Sequence, residues 1–283
     1  MPAKKSINPT IYVTRDAERA SGMAPNDNYE IITNDSGETF DTAELLEQNK
    51  VRERINNSKA SILVFKNTSR IEDICKENSW NLLNPPSALT EKYENKITQV
   101  EWLGDLAKYL PPHSISLAKN LKWSGESFIL QWAHGHTGDG TILVNSEEEL
   151  VTIQEKFPER LARITAFIGG PSFTVNVVVA SNTIIVGNIS YQITGLAPFT
   201  DNRFSTVGND WGIVHSLLNE NEINQITEMA QEIGEKMRTD GWKGLFGIDI
   251  IRDDKSNRIF LIEINARQPA SATFESQLPM SDI

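Results

Sequence analysis

The segment from Leu245 to Arg267 decides the fold, and it reads LFGIDIIRDDKSNRIFLIEINAR. It contains two apolar runs, Leu245–Ile251 and Ile259–Ile264, on either side of a polar Asp-Asp-Lys-Ser-Asn stretch. Apolar runs of this length around a polar turn are typical of two paired β-strands. Each run carries one acid where a core residue is expected, Asp249 in the first and Glu263 in the second. The segment therefore predicts a β-hairpin with one acid on each strand.

The two acids are predicted to form one site. With the turn centred near Ser256, Asp249 and Glu263 lie opposite each other, and Asn265 shares the face of Glu263. Like charges directly opposite destabilise a sheet, so a buried pair needs a proton or a cation. Two carboxylates and an amide oxygen suit Mg²⁺, which completes its shell with water and phosphates, and Arg267 adds a donor for phosphate or carboxylate. The alternative is a hairpin whose acids lie on a solvated face.

Composition excludes several classes of protein. The 283 residues are enough for two domains with their own cores. The formal net charge of −11 argues against general binding to nucleic acid or to anionic membranes. Cys75 is the one cysteine, so no intrachain disulfide can form. Met1–Pro9 lacks the apolar run of a secretory signal, and no stretch approaches transmembrane length, so we expect a cytoplasmic protein.

The first part of the chain alternates predicted strands with predicted helices, which indicates a largely parallel α/β sheet. The helices are predicted to open at Asp41-x-x-Glu44, running to about Asn56, and at Ser69-x-x-Glu72, running to about Asn78. Neither a Gly-x-Gly-x-x-Gly fingerprint nor a Walker A motif is present. The predicted strands are Ile11–Thr14, Tyr29–Asn34, Ser61–Lys66 and Leu82–Leu83.

The rest of the chain is predicted to be rich in strands. A helix is expected over Ile97–Leu110, and a second over Glu220–Asp240, where one apolar face should pack under the final hairpin. The segment Thr194–Gly212 is predicted to be irregular. A glycine-rich loop, His134–Gly140, lies between two strands and could equally be a mobile turn or a cover over phosphates. The predicted strands are Ser127–Ala133, Thr141–Asn145, Arg163–Ile168, Ser172–Ala180 and Thr183–Ile193.

The acid on one strand followed by Glu263-Ile264-Asn265-Ala266-Arg267 on the next resembles the ATP-grasp superfamily. The resemblance implies a mixed α/β and α+β protein in which an N-terminal Rossmann-like domain, residues 1–95, precedes an ATP-grasp fold, residues 96–283. Members of the superfamily continue further beyond this motif, so a C-terminal truncation is also expected.

The same resemblance implies binding sites for ATP and Mg²⁺, with Asp249, Glu263 and Asn265 as the metal ligands. Gln131 stands where the family has a lysine, and Ala166 or Ser172 stands where it has a hinge glutamate. Glutamine can hydrogen-bond a phosphate but brings no charge, and adenine would be read mostly by backbone groups. Two histidines without a nearby third His or Cys do not complete a zinc site, so His134 and His136 are expected to contact phosphate. The implied ATP-binding residues are Lys96, Gln131, His134, Gly135, His136, Thr137, Gly138, Gly140, Thr141, Ala166, Phe167 and Ile168.

The implied activity is ligation of a small-molecule carboxylate to an amine through an acyl phosphate, with release of ADP and phosphate. Arg267 and Arg203 are the candidate catalytic residues, with Arg203 as an anchor for an acidic substrate. The alternatives are a carboxylase similar to biotin carboxylase, a small-molecule kinase, and a nucleotide-binding module without catalysis. A homodimer is compatible with each of them.

The predicted site has consequences for substitutions at Gln131, Asp249 and Glu263. Gln131→Lys should be tolerated and tighten ATP, because it restores the family's cation. Asp249→Asn and Glu263→Gln should both melt at or above the wild type without ligand, because each removes one of two opposed charges.

Overall fold

The computed structural model describes residues 9–21, 29–34, 40–134 and 140–278. These residues form three β-sheets with helices packed against them. No helix in these ranges is both long and apolar enough to cross a membrane. The mixed α/β class expected from the sequence is confirmed.

The first sheet has three parallel strands in the order β2-β1-β3, as the alternation of strands and helices predicted. Leu82, predicted as part of a short strand, makes only an isolated parallel bridge to Ile62. Apolar side chains between Ile11 and Cys75 form one core around this sheet, and Cys75 is a buried residue of that core. The strands are β1 (Thr10–Val13), β2 (Tyr29–Ile32) and β3 (Ser61–Val64).

The helices of this region differ from the predicted ones in detail. The capping box at Asp41 and Glu44 is present, but the helix it opens is interrupted at Gln48, whose ψ of 132° is extended rather than helical. The cap of the later helix is Thr68, which accepts from the Ile71 N–H, rather than Ser69. The helices are α1 (Glu18–Ser21), α2 (Thr42–Glu47), α3 (Asn49–Ser58), α4 (Ser69–Glu77) and α5 (Ser87–Glu94).

The second sheet is antiparallel, with strand order β4-β7-β5-β6. The predicted helix over Ile97–Leu110 is α6 (Thr98–Leu103) followed by a 3-10 helix, Gly104–Tyr109, because Gly104 adopts a positive φ of 56°. A second 3-10 helix covers Ala118–Asn120, and α7 (Glu147–Lys156) follows the sheet's last hairpin. The strands are β4 (His113–Leu117), β5 (Phe128–Trp132), β6 (Thr141–Val144) and β7 (Leu161–Ala166).

The third sheet is antiparallel, with strand order β10-β9-β8-β11-β12. Its last pair is the hairpin predicted from the sequence. The segment predicted to be irregular contains β10, which pairs with β9, so that prediction was wrong for Thr206–Asp210. The strands are β8 (Ser172–Val179), β9 (Ile184–Thr194), β10 (Thr206–Asp210), β11 (Gly244–Arg252) and β12 (Ile259–Asn265).

The predicted long helix, α9 (Glu220–Thr239), forms with the third sheet the largest core of the described residues. It packs mainly on β8 and β9 and to a smaller extent on β12, rather than chiefly under the hairpin. Two short helices, α8 (Val214–Leu217) and α10 (Ala272–Glu275), lie before and after these elements. The second and third sheets face each other, and the space between them contains the candidate site.

Candidate functional site

A cavity of about 350 Å³ lies between the second and third sheets, within the size range of small-molecule sites. In a chain with a net charge of −11, four basic and only two acidic side chains among the described residues line it. The cavity is therefore suited to an anionic ligand. These six side chains are Lys96, Arg163, Arg203, Arg267, Asp249 and Glu263.

The predicted acid pair is present at the floor of this cavity. Asp249 and Glu263 are direct partners across the β11–β12 ladder, as the sequence spacing predicted. Oxygens of Asp249 accept from Thr174 Oγ1 at 2.5 Å, Gln192 Nε2 at 3.0 Å and Asn265 Nδ2 at 2.9 Å. Burial, reinforced by the charge of Glu263, raises the pKa of Asp249 to about 6.

A β-bulge beside the pair shapes the floor. The register moves from Asp249–Glu263 to Ile250–Leu261, which leaves Ile262 as the extra residue on β12. Because a bulge changes the direction of side chains, both Ile262 and Glu263 line the cavity. The bulge also leaves the Ile262 carbonyl available to a side chain from another strand, Arg163.

Lys96 is buried rather than exposed, contrary to the usual behaviour of a lysine at a helix start. Its exposed fraction is only 3%, and its Nζ lies 2.8 Å from Glu263 Oε1. Its backbone N–H donates to the Ala133 carbonyl, which anchors the approach to α6 on the second sheet. This ion pair partly compensates one acid of the pair, a contact that the hairpin sequence by itself did not reveal.

The donor set at the acid pair fits a divalent cation. No group of three His, Cys, Asp or Glu side chains suited to a metal occurs in the described ranges. An ion held here by Asp249, Glu263 and the Asn265 amide oxygen would therefore need water or phosphate to complete its shell, as Mg²⁺ commonly does. Burial, with a further contribution from the charge of Glu263, raises the pKa of Asp249, and such an ion would stabilise the ionised carboxylate.

The two candidate catalytic arginines lie at different places on the cavity wall. The Arg267 guanidinium lies 5.6 Å from the centroid of the Phe65 ring, and its Nε lies 3.8 Å from Glu94 Oε1, next to the first sheet. Arg203, in the turn between β9 and β10, is exposed and lies over the Phe167 ring at 5.5 Å. Arg267 is thus on the side of the acid pair, and Arg203 is on the side of the predicted hinge.

Gln131, Gly140 and Thr141 all line the cavity, as the ATP-binding prediction requires. The side chain of Gln131 is committed to protein contacts, because its Oε1 accepts from Arg163 and its Nε2 donates to Thr141 at 3.3 Å. Sequence reasoning missed Arg163. The signal was weak, because Arg163 is the first residue of the predicted strand, whereas the actual strand begins at Leu161 and contains Arg163 in its interior.

The predicted hinge also lines the cavity. Ala166, Phe167 and Ile168 follow one another at the end of β7, where the strand ends at Ala166 rather than Ile168. The Ala166 N–H donates to the Pro112 carbonyl, so it is already paired within the protein. A backbone N–H donated to a base would therefore have to come from Phe167 or Ile168.

The glycine-rich loop is only partly described. His134 is exposed and pairs with Glu91 at 2.9 Å, and it does not belong to the cavity lining. Gly135, His136, Thr137 and Gly138 lie outside the described residues, so their predicted phosphate contacts stay predictions.

Comparison with family models decides the assignment. The model described as the ATP-grasp domain matches residues 93–271, more than half of the chain. The chain belongs to the ATP-grasp family. The match includes β4–β12 and every described residue proposed above as an ATP or metal ligand. No curated protein sequence matches this ATP-grasp chain.

Solved structures similar to this ATP-grasp protein share its fold at low sequence identity. The D-alanyl-alanine synthetase A from Vibrio cholerae is 12% identical, with a TM-score of 0.66 over 97% of this chain and 91% of that one. The N5-carboxyaminoimidazole synthetase from Staphylococcus aureus complexed with ADP is 13% identical, with a TM-score of 0.65 over 93% and 71%. The L-amino acid ligase from Bacillus licheniformis is 14% identical, with a TM-score of 0.62 over 95% and 69%.

Proposed function

We propose that this ATP-grasp protein is an ATP-dependent ligase that joins a small-molecule carboxylate to an amine and releases ADP and phosphate. The observation that carries the proposal is the joint presence of a carboxylate pair and several cations around one cavity. Asp249 and Glu263 face the same space as Lys96, Arg163 and Arg267. Such a site can bind a polyphosphate and a divalent cation together. A site for an anion alone would need the basic side chains but not the carboxylate pair.

Asp249, Glu263 and Asn265 are the residues that would hold Mg²⁺. When bound, the ion offsets negative charge on the ATP phosphates. Asn265 is held toward Asp249 by its amide N–H, which leaves its amide oxygen available as a ligand. Thr174 and Gln192 keep the Asp249 carboxylate oriented through hydrogen bonds.

The chemistry proceeds in two balanced transfers. A substrate carboxylate oxygen bonds to the γ-phosphorus of ATP, and the bond from that phosphorus to the β–γ bridging oxygen breaks, which releases ADP and leaves an acyl phosphate. The amine nitrogen then bonds to the acyl carbon, phosphate leaves with the electron pair of the C–O bond, and the nitrogen loses a proton. The protein does not need to provide a nucleophile, so positioning and charge stabilisation account for most of the rate.

The basic side chains have distinct roles in this proposal. Lys96 would bind the ATP phosphates in place of Glu263 if that acid held a metal ion, because its Nζ lies 2.8 Å from Glu263 Oε1. Arg267 stabilises the charge on the phosphoryl group and on the substrate carboxylate. Arg203 remains a candidate anchor for an acidic substrate, although its contact with Phe167 puts it nearer the adenine side.

Similar structures support the reaction class. They include a D-alanyl-alanine synthetase, an L-amino acid ligase and an N5-carboxyaminoimidazole synthetase complexed with ADP. Those names belong to the other proteins, and the acid and amine of this chain are not carried over from them. What is carried over is the proposal that a ligase reaction takes place in this fold.

The test is a matrix of carboxylates against amines with Mg·ATP, in which phosphate release is measured and product mass is detected. We expect ADP and phosphate from a productive pair, and a hydroxamate when hydroxylamine replaces the amine. Glu263→Gln is the control for background hydrolysis. AMP and pyrophosphate as products would contradict the mechanism, and binding of Mg·ATP without turnover in any pair would favour the non-catalytic alternative.

A further inference from the structure

Arg163 is a buried cation whose hydrogen-bond partners are all neutral. It lies in β7, has an exposed fraction of 1%, and lines the cavity. Its Nε and Nη2 donate to Gln131 Oε1 at 3.0 and 2.8 Å, Nη1 donates to Gln99 Oε1 at 3.0 Å, and Nη2 also donates to the Ile262 carbonyl at 3.1 Å. Within the described residues, the remaining Nη1–H has no acceptor. Buried charges are normally paired with an opposite charge, and this guanidinium has no carboxylate in hydrogen-bond contact.

The surroundings hold the guanidinium in one place. Gln131 is the direct partner of Arg163 across the β5–β7 ladder, so its carbonyl oxygen faces the guanidinium over a short distance. Gln99 is completely buried, and its Nε2 donates to the Tyr93 carbonyl at 2.6 Å, which turns its oxygen toward Arg163. Three elements, α6, β5 and β12, therefore fix one side chain. Fixing a side chain in advance lowers the entropic cost of using it to bind a ligand.

The nearby acids do not neutralise Arg163. Glu263 is in an ion pair with Lys96, and among the described residues Asp249 accepts from Thr174, Gln192 and Asn265. Burial lowers the pKa of Arg163 to about 10, and the charge of Glu263 opposes that effect only in part. The group stays protonated at neutral pH, so the cavity holds a cation whose desolvation is not compensated by an anion.

The position of Arg163 indicates which part of a nucleotide it would meet. It precedes the hinge residue Ala166 by three positions on β7, about 10 Å along the strand at 3.3 Å per residue. That is close to the length of a nucleoside from the base edge to the 5′ oxygen. On its other side it reaches the Ile262 carbonyl, one residue from Glu263. Arg163 thus lies between the base side and the metal side of the cavity.

We propose that Arg163, held by Gln131 and Gln99, binds the nucleotide phosphate nearest the ribose. In this proposal the cationic charge is carried by Arg163 on β7, and Gln131 on the neighbouring strand β5 serves as its positioning residue. This inference rests on the proposed function, because it requires a nucleotide in the cavity. It also explains how a chain with glutamine at position 131 keeps a cationic phosphate site.

The competing account is that Arg163 only ties α6, β5 and β12 together. The two accounts differ in their dependence on ligand charge. A phosphate contact affects AMP, ADP and ATP but leaves adenosine unaffected, whereas a purely structural tie affects all four ligands or none. Comparing phosphorylated and unphosphorylated ligands on the same variant therefore separates the accounts.

The experiment measures affinities of adenosine, AMP, ADP and ATP by titration calorimetry for the wild type and for Arg163→Met. We expect AMP, ADP and ATP each to weaken at least tenfold, equivalent to about 1.4 kcal/mol, while adenosine changes less than twofold. Arg160→Met is the matched control, because Arg160 is an exposed arginine stacked on Trp132 at 4.4 Å outside the cavity, and it should leave all four affinities unchanged. If Arg163→Met does not fold, Arg163→Gln repeats the test with a neutral side chain that keeps a polar amide in the same surroundings.

A double variant tests whether the charge itself matters. Gln131→Lys combined with Arg163→Met returns one cation to the same wall, and we expect it to recover most of the lost AMP affinity. Equal weakening of adenosine, loss confined to ATP, or a double variant as weak as Arg163→Met would each overturn the inference. Unchanged ADP affinity in Arg163→Met would overturn it while leaving the proposed function intact, whereas a wild type that binds no adenine nucleotide would overturn both.

Discussion

Two walls of the cavity each contain a pair of residues directly opposite each other on neighbouring strands, and the charge is negative on one wall and positive on the other. The acid wall, Asp249 and Glu263 on β11 and β12, joins two strands of one hairpin. The guanidinium wall, Gln131 and Arg163 on β5 and β7, joins strands separated by another strand and a helix. Register within a hairpin follows from its turn, so the first pair could be predicted from spacing. The second depends on which strands become neighbours, and the sequence did not reveal it.

The walls also differ in how their charge is balanced. One acid is paired with buried Lys96, and the other has a raised pKa. In the part of the chain that the structure describes, the acceptors of the Arg163 guanidinium are all neutral. Each wall therefore carries charge that the protein alone leaves partly uncompensated, negative on one side and positive on the other. A metal ion would compensate the negative wall and a polyphosphate the positive wall. Variants that alter either wall therefore test whether the cavity binds both.

The largest effect is expected for Gln131→Lys. This change removes the acceptor of two Arg163 N–H groups and puts a second cation against a buried one, so we expect the free energy of unfolding to fall by about 3 kcal/mol. Urea unfolding of the protein without ligand measures it. Gln131→Glu is the matched control, since its carboxylate can accept both hydrogen bonds from Arg163. Its free energy of unfolding should equal or exceed that of the wild type. A fully stable Gln131→Lys, as the family resemblance alone predicted, would show that Arg163 does not depend on Gln131.

Loss of metal-dependent stabilisation comes next. A ligand that binds only the native state at 100 times its Kd stabilises it by about 2.7 kcal/mol. We expect Asp249→Asn and Glu263→Gln each to lose most of the rise in Tm that Mg·ATP gives the wild type. Thermal melting with and without Mg·ATP measures this, and Glu159→Gln, an acid paired with Lys119 on the surface, should keep the whole rise. Retention of the rise in both cavity variants would eliminate the acid wall as a metal site.

A smaller effect is expected in the pH dependence of the metal-free protein. The folded pKa of Asp249 is about 6 against an ordinary value of 3.8, so the native state binds more protons between these values. The contribution of Asp249 to stability therefore falls as pH rises from about 4 to 6 and is constant above that range. Asp249→Asn cannot titrate at this position, so it keeps the stability that the wild type loses. We expect the unfolding free energy of the variant, relative to the wild type, to rise by about 2 kcal/mol as the pH increases across this window. Denaturant unfolding in EDTA at pH 4 and pH 7 measures it, and parallel curves would mean that Asp249 titrates normally.

The smallest effect distinguishes the two acids from each other at pH 7. Glu263→Gln leaves buried Lys96 without its ionic partner, so we expect it to unfold about 1 kcal/mol more easily than the wild type without metal. Asp249→Asn relieves charge repulsion at the cost of some hydrogen bonding, so we expect about 1 kcal/mol of stabilisation. The sequence predicted the same sign for both variants, because it did not place Lys96 beside Glu263. Equal signs would mean that this ion pair contributes little.

Elements with local determinants could be predicted from the sequence. The individual strands of the N-terminal sheet, the capping box at Asp41, the β5–β6 hairpin and the long helix ending before Gly241 all follow from patterns within a short stretch. The predicted helices and strands differ from the structure where another interaction or backbone conformation outweighs the local sequence pattern. An extended Gln48 interrupts one helix, a positive φ at Gly104 converts another into a 3-10 helix, and β10 forms because β9 offers an edge.

For the site, the sequence by itself determined the acid pair, because the side chains of a hairpin are brought opposite each other by the turn between them. It also determined the family, through the residues that follow the second acid. Only the tertiary structure decided how those acids are compensated, because Lys96 approaches Glu263 from the connection between α5 and α6, which is distant in sequence. It likewise decided that Gln131 accepts hydrogen bonds from Arg163, since contacts between strands that are not consecutive depend on the packing of the whole sheet rather than on local spacing.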